Sequence, residues 1–393
     1  MKSNTKAIYL DHAATTPVEP AVIEAMEPYL VARFANPSSL YGAARETRAA
    51  VETARHRIAA LLGARTTEII FTSGGTEGDN LAVQGVLRAH RGAHWVTTAI
   101  EHDAVLGCVE PLERDGHHCT VIPVKPNGIV DVALIREAIT DQTVLVSVML
   151  ANNEIGTIQP IADVAKLIAL VRMERALRDI TTPIYLHTDA VQAANYLDLQ
   201  VSRLGIDLLT LNGSKIYGPK GTGALYVRHG TVIEPLMYGG GQERTRRSGT
   251  ENVAGIVGFA EAFEITVRGR EAEARRLAPM RDHLMAVLHS DIPNISINGD
   301  PKRRLPNNLN ITIPGAEGEA MILYLDNAGI MASTGSACST GNLDPSHVLL
   351  AIGRSAAEAN SSLRITLGRS TDAAAIEAVA KLLPPIIRRL REL

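Results

Sequence analysis

The sequence predicts an α/β protein in which a large α/β domain, built on a mostly parallel seven-stranded sheet, is joined to a smaller α+β domain. Three observations carry this expectation. Between about residues 67 and 228, seven short β-branched runs alternate with helical patterns, the signature of strand–helix–strand units. Beyond about residue 250 the texture changes to one long helical stretch, followed by short strands and helices. The chain has 393 residues, 46% hydrophobic and 21% charged. That is more than one core usually supports, since single cores stop growing beyond roughly 250–300 residues.

Taken in chain order, residues 43–62 place Ala44, Val51, Ala54, Ile58, Leu61 and Leu62 at helical spacing and stop at Gly63, a usual residue just past a helix end. The sheet strands are expected at 68–71, 95–98, 120–124, 144–149, 184–188, 207–211 and 224–227. The intervening helices are expected at 79–89, 104–115, 132–138 and 161–178. A long helix runs to about residue 289 through the charged cluster Arg270-Glu271-Ala272-Glu273, and short strands follow at 295–297, 310–313 and 363–367. The expected division is a large domain of residues 16–265 and a small domain of residues 1–15 with 266–393, the boundary falling inside the long helix. No internal repeat or low-complexity tract interrupts the pattern.

Composition removes several function classes. Lys plus Arg number 39 against 42 Asp plus Glu, so the net charge of −3 offers no general field for nucleic acid or an anionic membrane. The three cysteines, Cys108, Cys119 and Cys338, are widely spaced without a CxxC, which argues against a disulfide framework or a metal site of their own. The apolar run at residues 7–10 is too short for a signal peptide, and no stretch approaches the ~18 apolar residues of a membrane span. A cytoplasmic protein whose partner is a small molecule or another protein is expected.

Four segments carry chemistry. Thr72-Ser73-Gly74-Gly75-Thr76-Glu77 follows a strand and opens a helix, so free N–H groups, two glycines and the Thr76 hydroxyl can cradle a phosphate, although an ordinary strand–turn–helix link reads the same way. Asp189 stands just past a strand of a parallel sheet, where ligands bind; it suits a pyridinium nitrogen, or equally caps the next helix. Lys215, between a buried strand and the Gly-rich stretch 218–221, suits a Schiff-base amine, with Lys220 as a nearby solvated control. Residues 333–342, small and polar, predict an exposed, mobile loop around Cys338, whose accessible thiol can act as a nucleophile; Cys108 and Cys119 read as packing residues. In this order, cup, carboxylate and lysine together provide the phosphate anchor, ring-nitrogen partner and amine that pyridoxal phosphate requires.

The chain resembles the cysteine desulfurases, NifS/IscS-like members of the class V aminotransferase group of pyridoxal phosphate enzymes. The resemblance covers nearly the whole chain. It is carried by the stretch from Tyr9 to Pro17, Asn36-Pro37-Ser38-Ser39, the cup from Thr72 to Asn80, Glu101-His102, Asn152-Asn153-Glu154-Ile155-Gly156, Lys215 to Gly223, Arg247-Ser248-Gly249-Thr250 and Gly335 to Ser339. It implies the fold-type I architecture of pyridoxal phosphate enzymes and a homodimer. Lys215 would be the lysine that binds pyridoxal 5′-phosphate covalently, Asp189 the partner of its ring nitrogen, Gln192 a contact of its ring hydroxyl, and His102 the ring that stacks on it and assists proton transfer. Gly75, Thr76 and Thr250 of the partner subunit would hold the phosphate. Asn153 and Arg364 would hold the substrate carboxylate, Arg364 through a bidentate pair. Cys338 would take sulfur from L-cysteine as a persulfide, release L-alanine and deliver the sulfur to an acceptor protein such as an iron–sulfur scaffold or a thiolation enzyme.

The family usually carries Ser-Gly-His before the lysine, with Ser and His on the phosphate. Here Asn212-Gly213-Ser214 stands in that place, so Asn212 and Ser214 inherit the position and Ser214 brings no positive charge. The link between Asn153 and Asp189 also looks longer than is usual, with an extra charged stretch near residues 172–179. A selenocysteine lyase, another class V aminotransferase and a non-catalytic sulfur-trafficking subunit are the rival readings.

Overall fold

The computed structural model describes residues 7–335 and 344–392. After the short strand β1 (Ile8–Tyr9), seven strands build one sheet: β2 (Ile69–Thr72), β3 (His94–Thr98), β4 (His118–Ile122), β5 (Thr143–Ser147), β6 (Tyr185–Asp189), β7 (Leu208–Asn212) and β8 (Gly223–Val227). Their order across the sheet is β2-β8-β7-β6-β5-β3-β4. The pairings among β3 to β7 are parallel, whereas β8 runs antiparallel to both β2 and β7. Each strand lies within two residues of its expected range. The near-continuous apolar runs are explained by burial on both faces: Leu145 packs on one face of the sheet and Val146 on the other, as do Ile70 and Phe71, because successive side chains point to opposite faces.

Helices cover both faces. The helix Gly42–Leu62 ends as expected, with Gly63 left-handed at φ 68°. The helix Gly75–Arg88 opens directly after β2 and packs on β7 and β8. One expectation is corrected: residues 104–115 form two short helices, Asp103–Leu106 and Val109–Arg114, rather than one. Pro111 has no N–H to bond the carbonyl of Gly107, and glycine is itself a poor helix former, so the helix breaks there.

A second core gathers Leu10 with Leu277, Leu284, Leu309, Ile311, Leu363, Ile365 and Leu383. Its sheet is antiparallel, β12 (Ser362–Thr366), β10 (Asn308–Thr312) and β9 (Ser296–Ile297), while β1 pairs in parallel with β11 (Ile330–Met331). The 39-residue helix Val253–Asp291 serves both cores, placing Ile256, Phe259 and Phe263 in the first and Leu277, Leu284 and Leu288 in the second. Among the described residues no helix is long and apolar enough to cross a membrane.

Candidate active site

The carboxyl ends of the parallel strands open onto a cavity of about 370 Å³, where ligands of α/β sheets bind. Its wall includes Gly75 and Thr76 from the cup, Asp189 at the end of β6, Asn212 at the end of β7, and Lys215 just beyond it. Of the other expected residues, His102, Asn153, Gln192 and Arg364 lie on the same wall.

The cup forms because the chain must turn sharply from β2 into a helix. Gly74 adopts φ 154°, which a side chain rarely permits, and a Cβ on Gly75 would stand 3.0 Å from Val191 Cγ2. No side chain caps the helix start, so its first N–H groups are left to a ligand, and the helix dipole favours an anion there. Asp189 is buried, and its Oδ1 accepts a hydrogen bond of 2.8 Å from Val191 N–H. Burial raises its pKa, opposed by His102, by that N–H and by Lys215.

The Lys215 ammonium donates to the carbonyl of Ala14, so the N-terminal strand loop shapes the amine's side of the cavity. Lys220 donates to Thr16 O at 2.7 Å from an exposed position and does not line the cavity. Asn212 Oδ1 accepts from both the backbone N–H and the hydroxyl of Ser214, each at 3.1 Å. Asn212 therefore reaches the wall, whereas Ser214 is spent on its neighbour and lies off it. Gln192 faces the cavity while its amide donates to Ala13 O at 2.9 Å. His102 caps the helix Asp103–Leu106 by accepting from Ala104 N–H at Nδ1, 3.0 Å away, which leaves the neutral ring's proton on Nε2.

Arg364 sits on β12, only 2% exposed, and reaches across from the second core. Its guanidinium pairs with Asp11 Oδ1 at 2.9 Å and donates to the carbonyls of Asn153 and Gly335, both at 3.2 Å, while Nε has no hydrogen-bond partner among the described residues. A buried fork aimed by one carboxylate and two carbonyls, with one donor left over, suits a small carboxylate. Thr250 is exposed and lies off this protomer's cavity. Cys338 falls outside the described residues. Cys108 is buried between the two short helices and Cys119 is half-buried on β4; burial pushes their thiols up to about 11 and about 12.

Sequence reasoning missed two residues of this site. Asp11 was quoted only as part of a motif, although its pairing with Arg364 links positions 353 apart. Asp79, buried on the cavity wall, was read only as the start of a helix, although an acid one turn past a phosphate cup is itself a signal.

The donor set fits pyridoxal phosphate: an uncapped helix start for the phosphate, a buried carboxylate for the ring nitrogen and an amine across the same cavity. Among the described residues no group of three or more His, Cys, Asp or Glu could hold a metal ion.

The sequence pattern of the aminotransferase class-V family matches residues 8–379. The chain is 46% identical to a cysteine desulfurase IscS of Clostridium botulinum over 392 residues, covering 99% of this chain and 96% of that protein. It is 45% identical to the cysteine desulfurase IscS of Methanosarcina thermophila over 395 residues, covering 100% and 95%. Among solved structures, a NifS-like protein from Rickettsia africae superposes with a TM-score of 0.85 at 32% identity, covering 98% of this chain and 100% of that one. A structure described as SspA in complex with cysteine gives 0.78 at 35% identity, covering 92% and 98%.

Proposed function

Because this chain belongs to the aminotransferase class-V family and is a cysteine desulfurase, we propose that it takes sulfur from L-cysteine onto Cys338 with pyridoxal 5′-phosphate held in the cavity described above. The observation that carries this reading is the convergence of Lys215, Asp189, His102 and Arg364 on one wall. Gly75, Thr76 and Asn212 would receive the phosphate, Lys215 the aldehyde carbon and Asp189 the ring nitrogen. The bound ring supplies a sink for the electron pair left when the substrate loses its α-proton.

The chain's own residues do the rest. Arg364 binds the substrate carboxylate with Asn153 beside it, and the position of Asp11 keeps the guanidinium aimed before substrate arrives. The Lys215 amine would carry the α-proton, and His102 would offer its Nε2 proton from the same wall. The Cys338 thiolate attacks the substrate sulfur. The new S–S bond forms as the carbon–sulfur bond breaks, the electron pair staying on the carbon side. Protons returned to that side give L-alanine, so thiol plus L-cysteine becomes persulfide plus L-alanine with no added oxidant. The likeness to a structure described as a complex with cysteine supports this substrate.

Two coarser features belong to the same proposal. Thr250 of the partner subunit would complete the phosphate site of a homodimer; the exposure of Thr250 supports this, as do exposed Leu30, Val31, Phe34 and Leu40. The two cores support a division into residues 16–265 and residues 1–15 with 266–393. The acceptor would be an iron–sulfur scaffold or a thiolation enzyme in the cytoplasm.

Cofactor absorbance and sulfide release test the reading together. Cys338→Ala should keep the yellow absorbance of bound cofactor and lose sulfide release from L-cysteine; a variant that still releases sulfide at the wild-type rate overturns it.

A further inference from the structure

Beside Asp189, the cavity wall holds a second carboxyl group that the proposed chemistry leaves unused. Asp79 lies one turn into the helix Gly75–Arg88, is 1% exposed and lines the same cavity as Asp189. Gly78 brings it there: a Cβ at Gly78 would stand 2.7 Å from Thr210 Cγ2, so only glycine lets this turn press onto β7. Thr210 packs under this turn, His187 Nε2 lies 3.0 Å from Thr210 Oγ1, and His187 Nδ1 lies 2.8 Å from Ser147 Oγ. Among the described residues Asp79 Oδ1 has no hydrogen-bond partner, with His187 Nε2 3.6 Å away.

Two carboxyl groups buried on one cavity wall resist ionising together, since each charge raises the proton affinity of the other. Their surroundings are unequal. Asp189 accepts from Val191 N–H and faces His102 and Lys215, which favour its charged form. Asp79 faces Asp189 and His187 from β6, Glu101 from the segment after β3, and Cys108 from the junction of the two short helices. None of these is positive near neutral pH, since burial lowers His187 to about 3. Burial first, then the charge of Asp189, pushes Asp79 well above the usual carboxylate range.

We propose that Asp79 is a positioning residue that carries the one proton shared with Asp189, so that Asp189 alone presents a negative charge to the ring nitrogen of the cofactor. A second charge on this wall would raise the proton affinity of Asp189 itself, and a protonated Asp189 could not hold the ring nitrogen in its cationic form. The role toward the ring rests on the cofactor reading above; the protonation of the pair does not.

Infrared spectroscopy in heavy water, with and without added pyridoxal phosphate, tests it. At neutral pH the wild type should show a protonated-carboxyl carbonyl band that is absent in Asp79→Asn and distinct from the band lost in Glu101→Gln. Should Asp79→Asn fail to fold, Thr210→Val keeps the acid but removes the hydroxyl that packs under its turn and bonds His187, and the same band should shift in frequency. The proposal is overturned if the Asp79→Asn spectrum keeps every acid band, if Thr210→Val moves none, or if the band vanishes on loading. Protein that never turns yellow with cofactor defeats the cofactor reading instead, while the band in the unloaded chain still reports on the pair.

Discussion

Two lysines five positions apart illustrate how one side chain becomes chemical and another does not. Both donate to carbonyls of the same N-terminal loop, Lys215 to Ala14 and Lys220 to Thr16. Lys215 does so from the cavity wall, whereas Lys220 is exposed and lies off it. Lys215→Ala should therefore lose the absorbance of covalently bound cofactor and Lys220→Ala should retain it; equal loss in both would refute the choice of lysine. The thiols divide on the same principle. With burial holding Cys108 and Cys119 far from ionising, neither offers a thiolate at neutral pH, which accords with the proposal that Cys338 takes the sulfur.

At the level of elements, the segment from Glu243 to Thr250 is held in a conformation its sequence resists. Glu243, Arg244 and Thr245 have φ of 47°, 57° and 66°, three successive left-handed residues without a glycine. A buried ion pair supports this turn. Glu243 accepts from Arg55 at 2.7 and 2.8 Å and from Phe71 N–H at 2.9 Å, and the Arg55 guanidinium lies 4.7 Å from the centre of the Phe71 ring. Further along, Arg247 pairs with Glu77 at 2.8 Å, tying the segment to the phosphate cup. Glu243→Ala leaves the buried Arg55 charge only the half-exposed Glu52, 3.2 Å from its Nε, and should cost about 3 kcal/mol, the low end for breaking a buried pair, read from denaturant unfolding. A change of less than about 1 kcal/mol, the scale of an exposed pair, would mean that the turn stands without this anchor.

Across the whole molecule, buried titratable groups set the pH response of stability in opposite directions. Glu101, fully buried and bonded to the Thr98 hydroxyl and Met149 N–H, is pushed up to about 8 from 4.5, chiefly by burial. Between those values the folded chain keeps a proton that the unfolded chain releases, so stability falls as pH rises through that window and is level above it. His187, lowered from 6.5 to about 3, acts the other way: stability rises with pH between 3 and 6.5. Glu101→Gln should remove the first dependence, so unfolding curves at stepped pH should show its stability gaining on wild type from pH 4.5 to 8. A constant difference would show that Glu101 ionises normally in the fold.

What was legible in the chain was what neighbouring residues decide. Seven β-branched runs with helices between them specify a parallel sheet, and the cup, Asp189 and Lys215 each sit where a strand ends, because strand ends are local features. The departure at residues 104–115 had a local cause as well, Pro111, whose missing N–H outweighed the helical pattern. Nothing local indicates that Asp11 meets Arg364, that Arg55 meets Glu243, or that Asp79 and Asp189 are buried on one cavity wall. Ser214 could not be placed from sequence either, since its hydroxyl is taken up by Asn212 only in the folded turn. The sequence by itself determined the elements and the order of the chemical groups, through short-range patterning. Only the tertiary structure decided which charges share a buried wall, because that depends on how two cores joined by one long helix close around it.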